Sequence, residues 1–285
     1  MRITLVFNPD AGGGASTDEL CAPIAAAGHQ IEVHRAKKDG MAEALNAPGE
    51  LIVVAGGDGT VGRAMKALAG SSVPMAIIPT GTANNIARSL GILGDPATLA
   101  ASWHRGEVRQ VDVGTVRGPW GETRFVESVG VGLLAHLITP EVGDQLEGTD
   151  DARSEARRAA RTLPAPERRV ELDGRDLSGP YLLLEAMNIR CAGPNLWLAE
   201  QARAGDGRLE VVRALERDRA TVVALADAFG TSRAVLPTER GTRLRFWSTA
   251  EELHVDDEHG TALGEWSRIA EIEVWLGEST VTVLR

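Results

Sequence analysis

The sequence predicts a protein of the α/β + β class, with an N-terminal doubly wound domain built on a parallel sheet and a β-rich sandwich domain after it. Residues 1–110 alternate apolar strands with helical segments, the order that is typical of a parallel sheet. In residues 111–285 the apolar runs are short and alternating, and turn signals such as Asp173-Gly174 separate them. About the last ten residues are candidates to return to the first domain.

The elements of the first domain follow from runs of β-prone residues and from the helical patterns between them. The predicted strands are residues 3–7, 31–34, 51–55 and 73–78. The predicted helices are residues 16–27, 41–47, 61–68, 83–90 and 95–105. Ser16 or Thr17 is the expected N-cap of the first helix, and Gly91 is expected to end the fourth.

Three glycine-rich loops, residues 8–14, 56–60 and 79–82, each follow a predicted strand. The carboxyl ends of parallel strands meet at one edge of a sheet, where such folds bind ligands. A helix N-terminus attracts phosphate, and glycines let the backbone approach a bulky anion. Asp58, inside GGDGT, would repel phosphates unless a cation lies between them. The loops therefore predict a nucleotide–metal site, although GGDGT alone is also compatible with a tight turn and an Asx cap. Neither a P-loop nor a dinucleotide fingerprint is present.

The second domain is predicted to be mainly antiparallel β. Its strands are residues 108–116, 124–131, 169–172, 181–188, 207–214, 243–248, 252–255, 270–275 and 280–284, and its helices are residues 151–162 and 217–229. The apolar run 129–138 is expected to form core or to line a lipid pocket.

The composition limits partners and location. The net charge of −10 disfavours binding to nucleic acid and attraction of the whole molecule to an anionic membrane. Two cysteines cannot form a disulfide framework. The N-terminus lacks a signal-peptide pattern, and no apolar run reaches the roughly 20 residues that span a bilayer. We expect a cytoplasmic protein whose membrane contact is peripheral.

Seven segments together carry a family resemblance. They are NPDAGGG (8–14), VVAGGDGT (53–60), IPTGTANNIARSLGI (78–92), VDVG (111–114), ESVGVG (127–132), GPNLWLAEQARAGDGRLEVV (193–212) and LHVDDEHG (253–260). Nearly the whole chain thus resembles the diacylglycerol kinase catalytic-domain superfamily, which includes bacterial lipid kinases and the sphingosine and ceramide kinases. The resemblance implies ATP and Mg²⁺ as cofactors and a lipid acceptor at the membrane surface. It also implies a nucleotide domain like those of NAD kinases and phosphofructokinases, with the active site in the cleft between that domain and the β-rich domain. Oligomeric state stays open, with a homodimer as one option.

The resemblance also implies roles for particular residues. The first nucleotide loop would comprise Asn8, Pro9, Gly12, Gly13 and Gly14, the phosphate cradle Gly56, Gly57, Gly59 and Thr60, and a further ATP contact Thr82. Asp58 would act in catalysis and help to hold the magnesium–phosphate assembly, and Asp206 would ligate a structural metal. Glu258 would be the base that takes the proton of the acceptor hydroxyl. Asp112 and Asp256 would join the polar network around the metal.

Several positions depart from the family pattern. They are Ala36, Gly62, Asn85, residues 197–200 and Asp257, the last of which replaces the glycine of a D-G-E motif. These departures keep open a nucleotide- or lipid-binding regulatory protein that has lost catalysis. GGDGT alone keeps open an NAD kinase, which would not explain NPDAGGG or the DDE element.

Other features have a functional and a structural interpretation. Asp206-Gly207 is also a hairpin-turn signal, and Glu258 also fits a solvated acidic turn. The histidines form no motif. The arginines between Ala152 and Arg169 either form a basic patch for anionic lipid headgroups or pair with the protein's own carboxylates.

Overall fold

The computed structural model describes residues 1–9, 16–143, 145–146, 149–193, 195–227 and 236–285. The chain forms two compact units. The first comprises Met1–Val113 together with Ser279–Arg285, and the second comprises Gly114–Glu278. The last seven residues therefore belong to the same unit as the N-terminus.

The first unit contains a parallel sheet with helices between its strands. In chain order its elements are β1 (Arg2–Phe7), α1 (Thr17–Ala26), β2 (Gln30–Arg35), α2 (Lys38–Asn46), β3 (Leu51–Gly56), α3 (Asp58–Leu68), β4 (Met75–Pro79), α4 (Asn85–Leu90) and α5 (Pro96–Ser102). The strand order is β2-β1-β3-β4, and every pairing is parallel. Residues Val283 and Leu284 of the last strand add to β4, also in parallel. The α/β part of the predicted fold class is confirmed.

Local sequence explains these elements. The six residues of β3 are all buried, as expected for a strand covered on both faces. Helix α3 buries Val61, Ala64, Met65 and Leu68, which recur at the spacing of one helical face. Ser16 begins α1 through a capping box with Glu19. Gly91 ends α4 in the left-handed region, with φ of 73°.

The second unit contains two antiparallel sheets and a layer of helices. The chain enters it through β5 (Val108–Gly118) and leaves it through β19 (Ala270–Leu284). Between them lie β6 (Gly121–Phe125), β7 (Ser128–Gly132), α6 (Leu133–Leu137), α7 (Pro140–Gly143), α8 (Thr149–Thr162), β8 (Glu167–Arg168), β9 (Val170–Leu172), β10 (Arg175–Asp176), β11 (Gly179–Met187), β12 (Cys191–Ala192), β13 (Leu196–Trp197), β14 (Leu209–Leu215), α9 (Arg219–Asp227), β15 (Thr238–Gly241), β16 (Arg243–Ser248), β17 (Leu253–Val255) and β18 (Glu258–His259).

The core of the second unit lies between its two sheets. One sheet contains β10-β9-β16-β19 and the other β15-β14-β11-β7-β17-β18. Side chains from both, such as Phe246 and Leu184, form one buried cluster. The opposite face of the second sheet packs against α6, α8 and α9 in another cluster. The predicted sandwich is therefore confirmed, with a helical layer outside it.

Two strand predictions in this unit were wrong. Residues 124–131 are not one strand, because Val126 and Glu127 donate their N–H groups to the Asp256 carboxylate rather than to a neighbouring strand. The apolar run 129–138 contributes mostly buried side chains, as expected for core, and Gly132, with φ of 92°, divides it into β7 and α6. Residues 270–284 form one long strand rather than two. No helix in the described ranges is long and apolar enough to cross a membrane.

Candidate active site

The loops after β1, β3 and β4 are hydrogen-bonded to one another at one edge of the parallel sheet. The Asn8 N–H donates to Ala55 O at 3.0 Å, and the Asn8 side chain donates to Thr60 Oγ1 at 3.4 Å. The Thr80 N–H donates to Gly56 O at 3.1 Å. The structure therefore brings together the described parts of the three predicted loops. Gly12, Gly13 and Gly14 lie outside the described residues.

The GGDGT and PTGT loops contact each other through glycines. A Cβ atom on Gly81 would lie 2.4 Å from the Cα of Gly57, and one on Gly57 would lie 3.2 Å from the Cα of Gly81. A Cβ on Gly56 would lie 2.7 Å from Thr60 Cβ. Real Cβ atoms do not approach other atoms as closely as the distances at Gly81 and Gly56, so these two positions need glycine for packing, whereas a Cβ on Gly57 would require its neighbour to shift slightly.

Asp58 links the same two loops through its side chain. It is the first residue of α3, and its Oδ1 accepts the N–H of Ile86 in the first turn of α4 at 2.9 Å. Asn84 precedes α4 in the left-handed region, with φ of 52°, and its side chain makes two hydrogen bonds to the backbone of Gly81. Asp58 therefore caps a neighbouring helix, a structural role that sequence reasoning did not assign to it.

The N-terminus of α3 has features that favour an anion. Its N-cap is Gly57, which has no side chain to cap the first-turn N–H groups. Such N–H groups and the helix dipole favour an anion. Thr60 is buried in the first turn, and Thr82 is exposed in the adjacent loop. Asp112 lies buried on β5; its place in a metal network stays a prediction.

The hairpin of β17 and β18 carries the DDE residues in the second unit. Asp256 occupies its turn with φ of 53°, and its Oδ1 accepts the N–H groups of Val126 at 3.0 Å and Glu127 at 2.8 Å. The Asp256 N–H donates to Ser128 O at 2.8 Å. Asp257 lies outside the left-handed region, so the backbone there does not need the glycine of the family motif. Glu258 follows on β18, with an exposed side chain.

A buried ion pair beneath this hairpin was missed by sequence reasoning. His254 Nε2 lies 2.9 Å from Glu185 Oε2, and Glu185 is fully buried. Burial lowers the pKa of His254, but the charge and hydrogen bond of Glu185 outweigh that effect and raise the pKa above its ordinary value. One signal was available: Glu185 is a charged residue in the centre of the apolar strand YLLLEAM.

Asp206 is paired with a cation in the structure. Its Oδ2 contacts Arg240 Nη2, and its Oδ1 accepts the N–H of Arg208 at 3.1 Å. Arg240 also binds Glu210 at 2.7 Å. Burial raises the pKa of Glu210, and the charge of Arg240 opposes that rise. Within the described residues no three His, Cys, Asp or Glu side chains converge as a metal site. The metal role of Asp206 therefore stays a prediction that the resemblance alone supports.

The arginines of α8 contact the protein's own acids. Arg157 and Arg161 approach Asp227 at 3.0 Å and 3.7 Å, and Arg158 pairs with Glu155. Beyond the helix, Arg168 is buried and forms two hydrogen bonds with Glu252. These pairs favour the structural interpretation of the arginines over a lipid-binding patch.

Comparisons with known proteins identify relatives that are named as lipid kinases. The family described as Diacylglycerol kinase catalytic domain matches residues 2–116. A Pseudomonas aeruginosa protein named "Probable lipid kinase YegS-like" is 32% identical over 230 residues, which cover 74% of this chain and 71% of that protein. A Mycobacterium tuberculosis protein named "Diacylglycerol kinase" is 26% identical over 238 residues, 79% of this chain and 76% of that protein.

A solved structure shows the same fold. The crystal structure of a diacylglycerol kinase from Bacillus anthracis matches with a TM-score of 0.69 at 21% identity, covering 99% of this chain and 96% of that one. The segment that the family model matches, residues 2–116, contains the described parts of the linked glycine loops and Asp58. The chain therefore belongs to the family of lipid kinases that contain the diacylglycerol kinase catalytic domain.

Proposed function

We propose that the protein transfers the γ-phosphate of ATP, with Mg²⁺, to the hydroxyl of diacylglycerol or a related lipid alcohol. The observation that carries this proposal is the pair of glycine loops joined at Gly57 and Gly81 and bridged by Asp58. In this arrangement the N-terminus of α3, which has no side-chain cap, lies beside the backbone of the glycine loops and the Asp58 carboxylate. A nucleotide triphosphate with its cation needs those groups.

The residues fit magnesium that arrives with the nucleotide. Mg²⁺ usually keeps several waters and is held by one or two carboxylates together with substrate phosphates, rather than by a cage of protein side chains. Asp58 is the acid in the GGDGT loop, and carboxylate oxygens are ligands that Mg²⁺ takes in proteins. Mg²⁺ would neutralise charge on the phosphates when bound there.

The chain's own residues would position the reactants and remove one proton. The α3 N-terminus and the glycine loops would bind the phosphates, and Asn8, Pro9 and Thr82 would contact the nucleotide. Glu258 would accept the proton of the lipid hydroxyl as its oxygen attacks the γ-phosphorus. The bond from that phosphorus to the bridging oxygen would then break, and ADP would leave with the electron pair. The lipid would be met at the membrane surface through peripheral contact.

The departures from the family pattern leave both proposed catalytic acids in place. Asn85 is buried in the first turn of α4, and Asp257 has a backbone conformation open to any residue. Neither departure changes Asp58 or Glu258 itself. A regulatory protein without catalysis is therefore less well supported than an active kinase.

The test is transfer of labelled γ-phosphate from ATP with Mg²⁺ to acceptors in mixed micelles. The panel contains diacylglycerol, a sphingoid base and phosphatidylglycerol, with glycerol and NAD as soluble acceptors. A labelled lipid product is expected. Label in NAD alone would indicate an NAD kinase. ATP binding without any product would indicate a binding protein, and either result would overturn the proposal.

A further inference from the structure

Glu185 and His254 form a buried pair on two strands that are not neighbours. Glu185 is on β11 and His254 on β17, with β7 between them. The imidazole Nε2 lies 3.0 Å from Glu185 Oε1 and 2.9 Å from Oε2. Both side chains are at most 3% exposed. An isolated charge in such a place is costly, so the pair is expected to form as a unit.

Gly130 makes the contact between these strands feasible. It is the β7 residue in register with Glu185 on one side and with His254 on the other. A Cβ atom on Gly130 would lie 2.4 Å from the Glu185 carboxyl carbon and 2.3 Å from Leu184 O. The Glu185 side chain therefore crosses β7 at Gly130, where the strand carries no side chain.

The second nitrogen of His254 binds the turn of the hairpin. Nδ1 lies 3.0 Å from the carbonyl oxygen of Asp256. Because a carbonyl oxygen only accepts, Nδ1 must carry a proton. Glu185 thus orients a ring that holds Asp256, and Asp256 in turn accepts the N–H groups of Val126 and Glu127. Glu258 lies two residues beyond Asp256 on β18.

We propose that His254 is a positioning residue that fixes the Asp256 turn, so that Glu258 is presented to the acceptor hydroxyl in one orientation, and that Glu185 serves to hold the wild-type imidazole in its buried site. This inference rests on the proposed function of Glu258. The physical basis is that a reacting group on a short hairpin needs a supporting layer of hydrogen bonds to hold its geometry. Sequence reasoning assigned no role to any histidine, and here His254 acts through the turn rather than on the substrate.

Two amide variants of His254 separate its two hydrogen bonds. The amide nitrogen of His254→Asn reaches the position of Nδ1 and keeps the bond to Asp256 O. The amide nitrogen of His254→Gln reaches the position of Nε2 and keeps the bond to Glu185 only. We expect His254→Gln to lower kcat by about tenfold or more with little change in the KM for ATP, and His254→Asn to stay within about threefold of wild type.

Amide hydrogen exchange at Val126 and Glu127 distinguishes positioning from loss of chemistry. His254→Gln is expected to speed exchange at both amides, because the turn that holds them is released. Glu258→Gln is the matched control, which is expected to abolish transfer and leave this exchange at the wild-type rate. Equal loss of kcat in both His254 variants, or wild-type exchange in His254→Gln, would overturn the proposal.

Two further measurements keep the test decisive. The wild-type protein provides a test that does not depend on whether the variants fold. The ¹⁵N spectrum of its labelled histidines is expected to show a slowly exchanging Nδ1 proton on His254. An unprotonated Nδ1 would refute the bond to Asp256. The exchange measurements need no substrate. A wild-type protein that phosphorylates no acceptor would therefore refute the proposed function, while the exchange rates would still report whether His254 holds the turn.

Discussion

Gly57 and Gly81 lie against each other, so that a Cβ on Gly81 would fall 2.4 Å from the Cα of Gly57. The first glycine follows β3 and the second follows β4, and the two strands are neighbours in the parallel sheet. The glycines of GGDGT and PTGT therefore do two things. They let two loops pack at the sheet edge, and they leave the N-terminus of α3 open to a phosphate group.

Gly81→Ala is expected to push these loops apart. The new methyl group would meet backbone that cannot move aside easily, so the free energy of unfolding should fall by about 1–3 kcal/mol, and ATP should bind more weakly. Gly62→Ala is the matched control in α3, where the nearest atom to the new Cβ would be Ile86 Cδ1 at 3.8 Å. That change should raise stability by roughly 0.5–1 kcal/mol. Urea unfolding and ATP titration measure both effects; equal behaviour of the two variants would contradict the loop-contact account.

Asp58 is expected to have separable structural and electrostatic roles. Asp58→Ala removes the acceptor for the Ile86 N–H and should cost about 1 kcal/mol of stability, whereas Asp58→Asn retains an acceptor oxygen and should cost only a few tenths. Both variants should lower phosphate transfer by about tenfold or more, because both remove the charge.

Asp95→Ala is the control for helix capping without catalysis. Asp95 caps α5 through the Thr98 N–H at 2.8 Å. We expect a stability loss like that of Asp58→Ala, measured by urea unfolding, with transfer retained. Full activity in Asp58→Asn would instead show that its charge is not needed.

Arg168 and Glu252 predict a pH-dependent contribution to stability. Burial raises the pKa of Glu252, but the hydrogen bonds and charge of Arg168 outweigh burial and hold the pKa below its ordinary value. An acid with a depressed folded-state pKa stabilises the fold above its unfolded pKa, and that contribution is lost as pH falls through the folded-state pKa. Glu252 is 38% exposed, so solvent screening reduces the effect.

Glu252→Gln is therefore expected to cost about 1 kcal/mol at neutral pH, and this difference from wild type should vanish under acid conditions. Urea unfolding at successive pH values measures it. The exposed neighbour Glu251 provides the control, since Glu251→Gln should change stability by less than about 0.5 kcal/mol. A difference in the free energy of unfolding between Glu252→Gln and wild type that grows as pH falls would contradict a stabilising role of this ion pair.

Arg240 is expected to matter more for stability than Asp206. Asp206→Asn removes one partially exposed ion pair and should change the free energy of unfolding by less than about 1 kcal/mol. Arg240→Met leaves the buried Glu210 carboxylate without that partner and should cost about 3 kcal/mol.

A chelator test addresses the metal role that the family resemblance implies for Asp206. If Asp206 ligates a structural metal, EDTA should lower the thermal midpoint of the nucleotide-free wild type but not that of Asp206→Asn. An EDTA-independent midpoint in wild type would contradict the metal role and leave Arg240 as the partner of this carboxylate.

The predictable features were those that depend on neighbours in sequence. The strand–turn–helix pattern around GGDGT follows from local residue types, and β1 to β4 lie within a few residues of their predicted positions. The strand break at Val126 and Glu127 depends on the Asp256 carboxylate, 130 positions along the chain from Val126. Nothing within the segment 124–131 reveals that partner.

The candidate site likewise contains residues that could be predicted from local sequence and residues that could not. The loop residues Gly57, Asp58 and Gly81 carry a readable pattern, whereas Glu185 and His254 meet only because three strands place them on one face across Gly130. Sequence alone also could not show that Arg240, on β15, reaches Asp206. Predicting long-range pairs of this kind requires the register of the strands in the sheet.

The most direct measurement is phosphate transfer from ATP to diacylglycerol by wild type, Glu258→Gln and Asp257→Asn. Asp257→Asn removes the same charge one residue away and is expected to stay near wild type. Wild type is expected to form labelled phosphatidate, and Glu258→Gln should lower the rate by about a hundredfold or more. Equal rates in wild type and Glu258→Gln would contradict the role of Glu258, and no labelled lipid with any acceptor would contradict the lipid kinase account itself.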